Sequence, residues 1–185
     1  MATGTTPTTT ATNPAVDNTD FYLKIDGING ETQTQGLTGY MRLASFNWGG
    51  QNSGKFQAGE SSGLPSGRFT GGDLNFVMKT NTASPQLMSA CAKGTQFTSA
   101  TLVCRKAIGG STPMTYLQVT LSPVLVSKFT TGYDPSNNLG DAIVVDNISL
   151  NFGKIVVQYM PATNQGTTGP AVEGGYNLQT GASAN

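Results

Sequence analysis

The run Asp20 to Asp26, "DFYLKID", alternates without a break: Phe21, Leu23 and Ile25 share one face, and Tyr22, Lys24 and Asp26 share the other. A period of two marks a half-buried strand, and "GINGE" behind it supplies turn residues. "RLASFNWG" repeats the pattern, with Ala44, Phe46 and Trp48 on one face and Leu43, Ser45 and Asn47 on the opposite one. "DLNFVMK" sets Leu74, Phe76 and Met78 on one side. "TSATLVCRK" and "TYLQVTLSPVLVSKF" are joined across Gly109-Gly110-Ser111, which reads as a hairpin turn. In the second of these, Leu117, Val119 and Leu121 alternate with Tyr116, Gln118 and Thr120. "NISLNFGKIVVQYMP" offers Ile148, Leu150 and Phe152, then Ile155, Val157 and Tyr159, with Gly153 between the runs as a bulge or bend.

One segment has a helical period instead. "SPQLMSACAKG" has Ser84 as N-cap, Pro85 at the first helical position and Gly94 as the stop, with Leu87, Met88, Cys91 and Ala92 as its apolar stripe. A single short helix among about seven strands predicts an all-β domain, a small barrel or sandwich whose edges are closed, covered or paired.

The strand patterns stop twice. Between Phe46 and Phe69 lies "FNWGGQNSGKFQAGESSGLPSGRF", an extended loop over 49–67 that is long for a compact domain. At the ends, residues 1–17 are Thr, Ala, Asn and Pro with few bulky apolar side chains, which predicts a flexible arm. Residues 161–185 are Gly- and Thr-rich, with a short closing strand over 175–179. The predicted organisation is one domain over 18–160, with no internal repeat and no second domain.

Composition narrows the function more than the fold. Ten Lys+Arg balance ten Asp+Glu, and charged residues make up 11% of the chain, against roughly a quarter in ordinary domains. No basic excess points to nucleic acid or to a membrane surface. The absence of histidine removes Ser-His-Asp and Cys-His nucleophile systems and His-ligated zinc. Cys91 and Cys104 are read as buried reduced thiols rather than a disulfide. The carboxylate pairs Asp26/Glu31 and Asp141/Asp146 lie near turns and read as solvated loop residues. "GGDLNF" and "AIGGST" lack the lysine and helix of a phosphate loop. Arg105-Lys106 reads as a salt-bridged or solvated pair, and Trp48 as core or subunit interface. No catalytic set, cofactor site or metal site is expected. The first segment has neither a basic n-region nor an apolar h-region, so synthesis in the cytoplasm without a signal peptide is expected.

The order of these motifs resembles the haemolysin-coregulated protein (Hcp) family of the bacterial type VI secretion system. "DFYLKIDGINGE" resembles its opening strand and turn, and "FNWGGQNSG" its aromatic-x-Trp-Gly strand with the Gly/Ser-rich loop. "DLNFVMKTNTASPQLMSACAKG" is similar to its strand, turn and Ser-Pro helix; "ATLVCRKAIGG" and "YLQVTLSPVLVSKFTTG" to its central hairpin. "DNISLNFGKIVVQYMP" and "GGYNLQTG" complete the match, which runs from Asp20 to Gln179. Two features depart from the pattern: the Thr-rich arm is longer, and "TQTQGLTGY" is uncharged. The resemblance implies a compact β-barrel of two sheets with one helix, related to phage tail-tube folds. It implies a homo-hexameric ring, stacked into a tube inside a contractile sheath with a spike, and secreted from the cell with small effector proteins in the lumen. By the same resemblance Ser45 and Asn47 face the lumen, and Lys55, Phe56, Glu60 and Leu64 of the long loop touch a neighbouring ring or subunit. Two other readings stay open: a phage-type tail-tube protein, or a monomeric ligand- or carbohydrate-binding module with Trp48 and Tyr22 as its platform.

Overall fold

The structure is a computed structural model, and it describes residues 19–54, 68–107, 113–133, 144–163 and 167–184. In chain order its elements are β1 (Thr19–Ile25), β2 (Met41–Asn47), β3 (Gly50–Asn52), β4 (Phe69–Gly71), β5 (Leu74–Lys79), α1 (Ser84–Lys93), β6 (Gln96–Phe97), β7 (Ala100–Lys106), β8 (Met114–Tyr133), β9 (Val144–Tyr159), β10 (Val172–Asn177) and β11 (Ala182–Ser183). The arm over 1–17 lies outside the described residues.

Six strands close on themselves. β1 pairs with β2, β2 with β5, β5 with β9, β9 with β8, β8 with β7 and β7 again with β1, all antiparallel. Closure removes the unpaired edges that a chain of alternating strands would otherwise expose. β6 adds to β8, β10 to the second half of β9, and β11 to β10.

The barrel is filled by the inward sets that alternation predicts: Leu23 and Ile25, Leu74, Phe76 and Met78, Leu102 and Cys104, Val119 and Leu121, Ile148 and Leu150. Two places break the parity. A β-bulge between Leu43 and Ser45 lets Leu43 and Phe46 both pack on the core, so Leu43 does not share the face of Ser45 and Asn47. In the β8–β9 ribbon the buried positions change from Val119 and Leu121 to Val124 and Val126, and from Leu150 and Phe152 to Ile155. Register is unbroken from Leu117↔Tyr159 to Val126↔Leu150, so both strands turn their other face inward together. Gly153 is therefore not a bulge. A Cβ there would come within 2.9 Å of the end of the Gln179 side chain and 3.0 Å of Pro123, so glycine lets these side chains approach closely.

Helix α1 packs Ala83, Leu87 and Ala90 into the core and lies against β8. Gly94 ends it in the left-handed conformation, φ 63°, the conformation glycine adopts without steric cost. Its start and its stripe differ from expectation. Ser84 is the first helical residue and its side chain caps nothing in the helix, because the hydroxyl is drawn to a buried carboxylate described below. Met88 is half exposed and Ala92 exposed. Tyr22 is buried too, in a small cluster with Leu37 and Val103 on the other side of β1. Cys91 and Cys104 are free thiols.

Candidate functional site

Strands β2, β5, β9 and the far half of β8 lie side by side, and their outward side chains make one surface. Register sets Asn47 opposite Asn75, Asn75 opposite Ser149, and Ser149 opposite Lys128. One row further on, Ser45 stands opposite Val77 and Val77 opposite Asn147. These residues line a shallow depression of about 200 Å³. Asn75 exists as a surface residue because it alternates with Leu74 and Phe76, which must face the core.

The polar groups of this face largely satisfy one another. Asn75 Nδ2 donates to Asn47 Oδ1 at 3.0 Å, and Ser149 Oγ donates to Asn75 Oδ1 at 2.6 Å. At the end of the sheet Asp73 accepts from Asn151 Nδ2 at 2.8 Å and from Ser127 Oγ. Ser127 Oγ also sits 3.1 Å from the Ser149 carbonyl. The result is an amide and hydroxyl ladder across four strands with the Asp73 carboxylate at its end.

The structure puts Ser45 and Asn47 together on this face, both exposed. It also adds Asn75, Asn147, Ser149, Asn151, Ser127, Asp73 and Lys128, which the reading of the chain did not single out. For Asn75, Asn147 and Ser149 the signal was present, since each alternates with a core residue. Lys128 was hidden by a bulge between Val126 and Lys128 that shifts the register.

The long loop has a paired root. β3 and β4 form a hairpin stem with Gly50 opposite Gly71 and Asn52 opposite Phe69. The Phe69 ring meets Tyr176 of β10 edge to face at 5.1 Å, which fixes the stem to the barrel. Lys55, Phe56, Glu60 and Leu64 lie outside the described residues.

Other expected features resolve differently. Asp146 is not a solvated loop residue: it is fully buried on β9, accepting from Thr80 Oγ1 at 3.0 Å and from Ser84 Oγ. Ser84 Oγ in turn accepts from the Asn81 backbone N–H at 3.0 Å. The carboxylate thereby ties the start of α1 to the sheet. Glu31 accepts from the Thr82 N–H at 2.9 Å, and Asp26 from Ser99 Oγ at 2.8 Å, so these two carboxylates fasten different segments. Asp141 is outside the described residues. Arg105 has no salt bridge among the described residues; it donates to the Pro113 carbonyl at 2.6 Å and reaches the Gln35 carbonyl at 3.4 Å. Lys106 lies 5.2 Å from the Tyr116 ring centroid. Trp48 packs on the core, its ring 6.2 Å from Phe152, while Tyr22 belongs to the separate cluster, so the two make no common platform. Burial pushes the Cys104 thiol up to about 11, against a smaller lowering by a hydrogen bond from Tyr116. Such a thiol is a core filler, not a nucleophile.

The described residues thus form a closed six-strand barrel with one flanking helix, a rooted hairpin and a largely polar outer face. The family model described as "Type VI secretion system effector, Hcp" matches residues 22–159. Protein hcp1 of Pseudomonas aeruginosa is 36% identical over 108 residues, 58% of this chain and 64% of that protein, so the match spans under two thirds of the relative's length. Among solved structures, Hcp1 from Salmonella typhimurium superposes with TM-score 0.72 at 26% identity, covering 90% of this chain and 99% of that one. A structure described as a type six secretion system protein superposes with TM-score 0.78 at 21% identity, covering 89% and 99%, a likeness of fold. The chain belongs to the type VI secretion system Hcp family.

Proposed function

We propose that this chain is the structural tube subunit of a type VI secretion system. Copies close into a hexameric ring with an open centre, and rings stack into a tube. A contractile sheath drives the tube and its spike out of the cell, and the lumen carries or stabilises small effector proteins. Family membership supports the reading. The observation that carries the lumen assignment is the outer face of β2, β5 and β9, where exposed Ser45 and Asn47 join Asn75 and Ser149 in a nearly uncharged ladder. A bore lined this way lets cargo slide. Ring closure needs a heterologous contact, one patch of the subunit against a different patch of the next. Lys55, Phe56, Glu60 and Leu64 of the long loop touch that neighbour or the adjoining ring, a reading supported by the family's loop pattern.

Light scattering on the purified protein tests assembly: a mass near six times the 19.2 kDa chain supports the tube, and a monomer that binds glycan contradicts it. Asn47→Arg tests the lumen. It should leave ring mass unchanged and alter retention of a co-expressed effector; unchanged retention in intact rings would remove Asn47 from the bore. Shortening 55–64 should impair stacking and secretion while sparing the barrel.

A further inference from the structure

Lys128 stands apart from the rest of the polar face. It is exposed, and it supplies the only charge among the residues lining the 200 Å³ depression, with Ser45, Asn47, Asn75, Asn147 and Ser149 around it. The bulge between Val126 and Lys128 sets it opposite Ser149 on this face. Asp73, the acid nearest along the ladder, is engaged by Ser127 and Asn151 and forms no ion pair with Lys128. The one ion pair among the described residues, Arg42–Asp20 at 2.7 Å, lies elsewhere on β1 and β2. Asn47, Asn75 and Ser149 are engaged with one another, and Lys128 is the one charged group on the lining of the depression.

We propose that Lys128 makes this face selective for acidic protein surfaces. The inference rests on the lumen reading above, since six copies in a ring place six ammonium groups around one bore. A ring of like charges attracts opposite charge at every orientation of the cargo, and repeated weak contacts add through effective concentration. Each single contact stays solvated and screened by salt, so cargo is retained without being locked. The occupant is a small protein with a carboxylate-rich patch.

The test uses the full chain and two dye-labelled probes, hexaglutamate and hexalysine, followed by fluorescence anisotropy, with ring mass measured on every sample. Wild-type rings are expected to bind hexaglutamate on the order of tenfold more tightly than hexalysine at low salt, with the preference gone near 1 M salt. Lys128→Gln should abolish the preference and Lys128→Glu should reverse it, both with ring mass unchanged. An unchanged preference in intact Lys128→Gln rings, or no preference in the wild type, overturns the inference alone. Loss of rings in Lys128→Gln also overturns it, making Lys128 a subunit contact. Failure of the wild type to form rings appears in the mass itself and takes the lumen reading with it.

Discussion

Two polar regions of the barrel are built from the same residue types and serve opposite ends. Beneath helix α1, Asp146, Thr80 and Ser84 are joined where water does not reach the carboxylate. On the outer sheet face, exposed Asn47 and Asn75 are joined to the buried Ser149, and the Asp73 carboxylate at the end of the sheet is partly exposed. Buried, a hydrogen bond to a charge is costly to leave half-made; exposed, water replaces the lost partner. The first region therefore holds the helix in place, and the second is free to vary as a surface. A hydrogen-bond map alone does not separate them; the burial of the carboxylate does, complete at Asp146 and partial at Asp73.

The contrast is broken most severely at Asp146. Asp146→Ala strands the buried Ser84 hydroxyl, removes the acceptor of Thr80 Oγ1 and loosens the start of α1, and should cost about 3 kcal/mol in urea denaturation. A loss below ~1 kcal/mol would put the two regions on the same footing. Next comes the interior's pH dependence. The Cys104 thiol stays protonated in the fold up to about 11, whereas its unfolded value is 9.0. Between these values the unfolded chain binds fewer protons, so stability falls as pH rises through this window and is fully present below it. Against Cys104→Ala, the wild type should lose an additional 2 kcal/mol or so between pH 9 and 11. Parallel pH profiles would show that burial does not hold the thiol neutral. Asn75→Ala removes the middle of the ladder and should cost about 1 kcal/mol, measured the same way. Smallest of all, Ser45→Ala should fall within about 0.5 kcal/mol of wild type, and a larger loss would make that position part of the fold rather than of the surface.

Much of the barrel was legible in the alternation of β1, β5, β7 and the two long strands, because each has one face in the core and a period of two. Parity failed where geometry intervenes without a local mark. The bulge after Leu43 and the joint face change near Pro123 and Gly153 depend on which strands lie alongside, and that is set by chain closure. Asp146 was misread for a related reason. Its position near a turn suggested solvent, but the helix that covers it lies some sixty residues earlier in the chain. Ser84 looked like a cap because capping is a local rule, and a buried carboxylate outcompeted it. Of the candidate surface, Ser45 and Asn47 came from motif order, their ladder partners were readable only once register was known, and Lys128 waited on a bulge.

Negative-stain electron microscopy of the purified protein tests the central claim most directly. The account predicts six-fold rings with an open centre, and end-on stacks of them as concentration rises. Compact single particles with no ring, at concentrations where Hcp-type rings should be assembled, would contradict it.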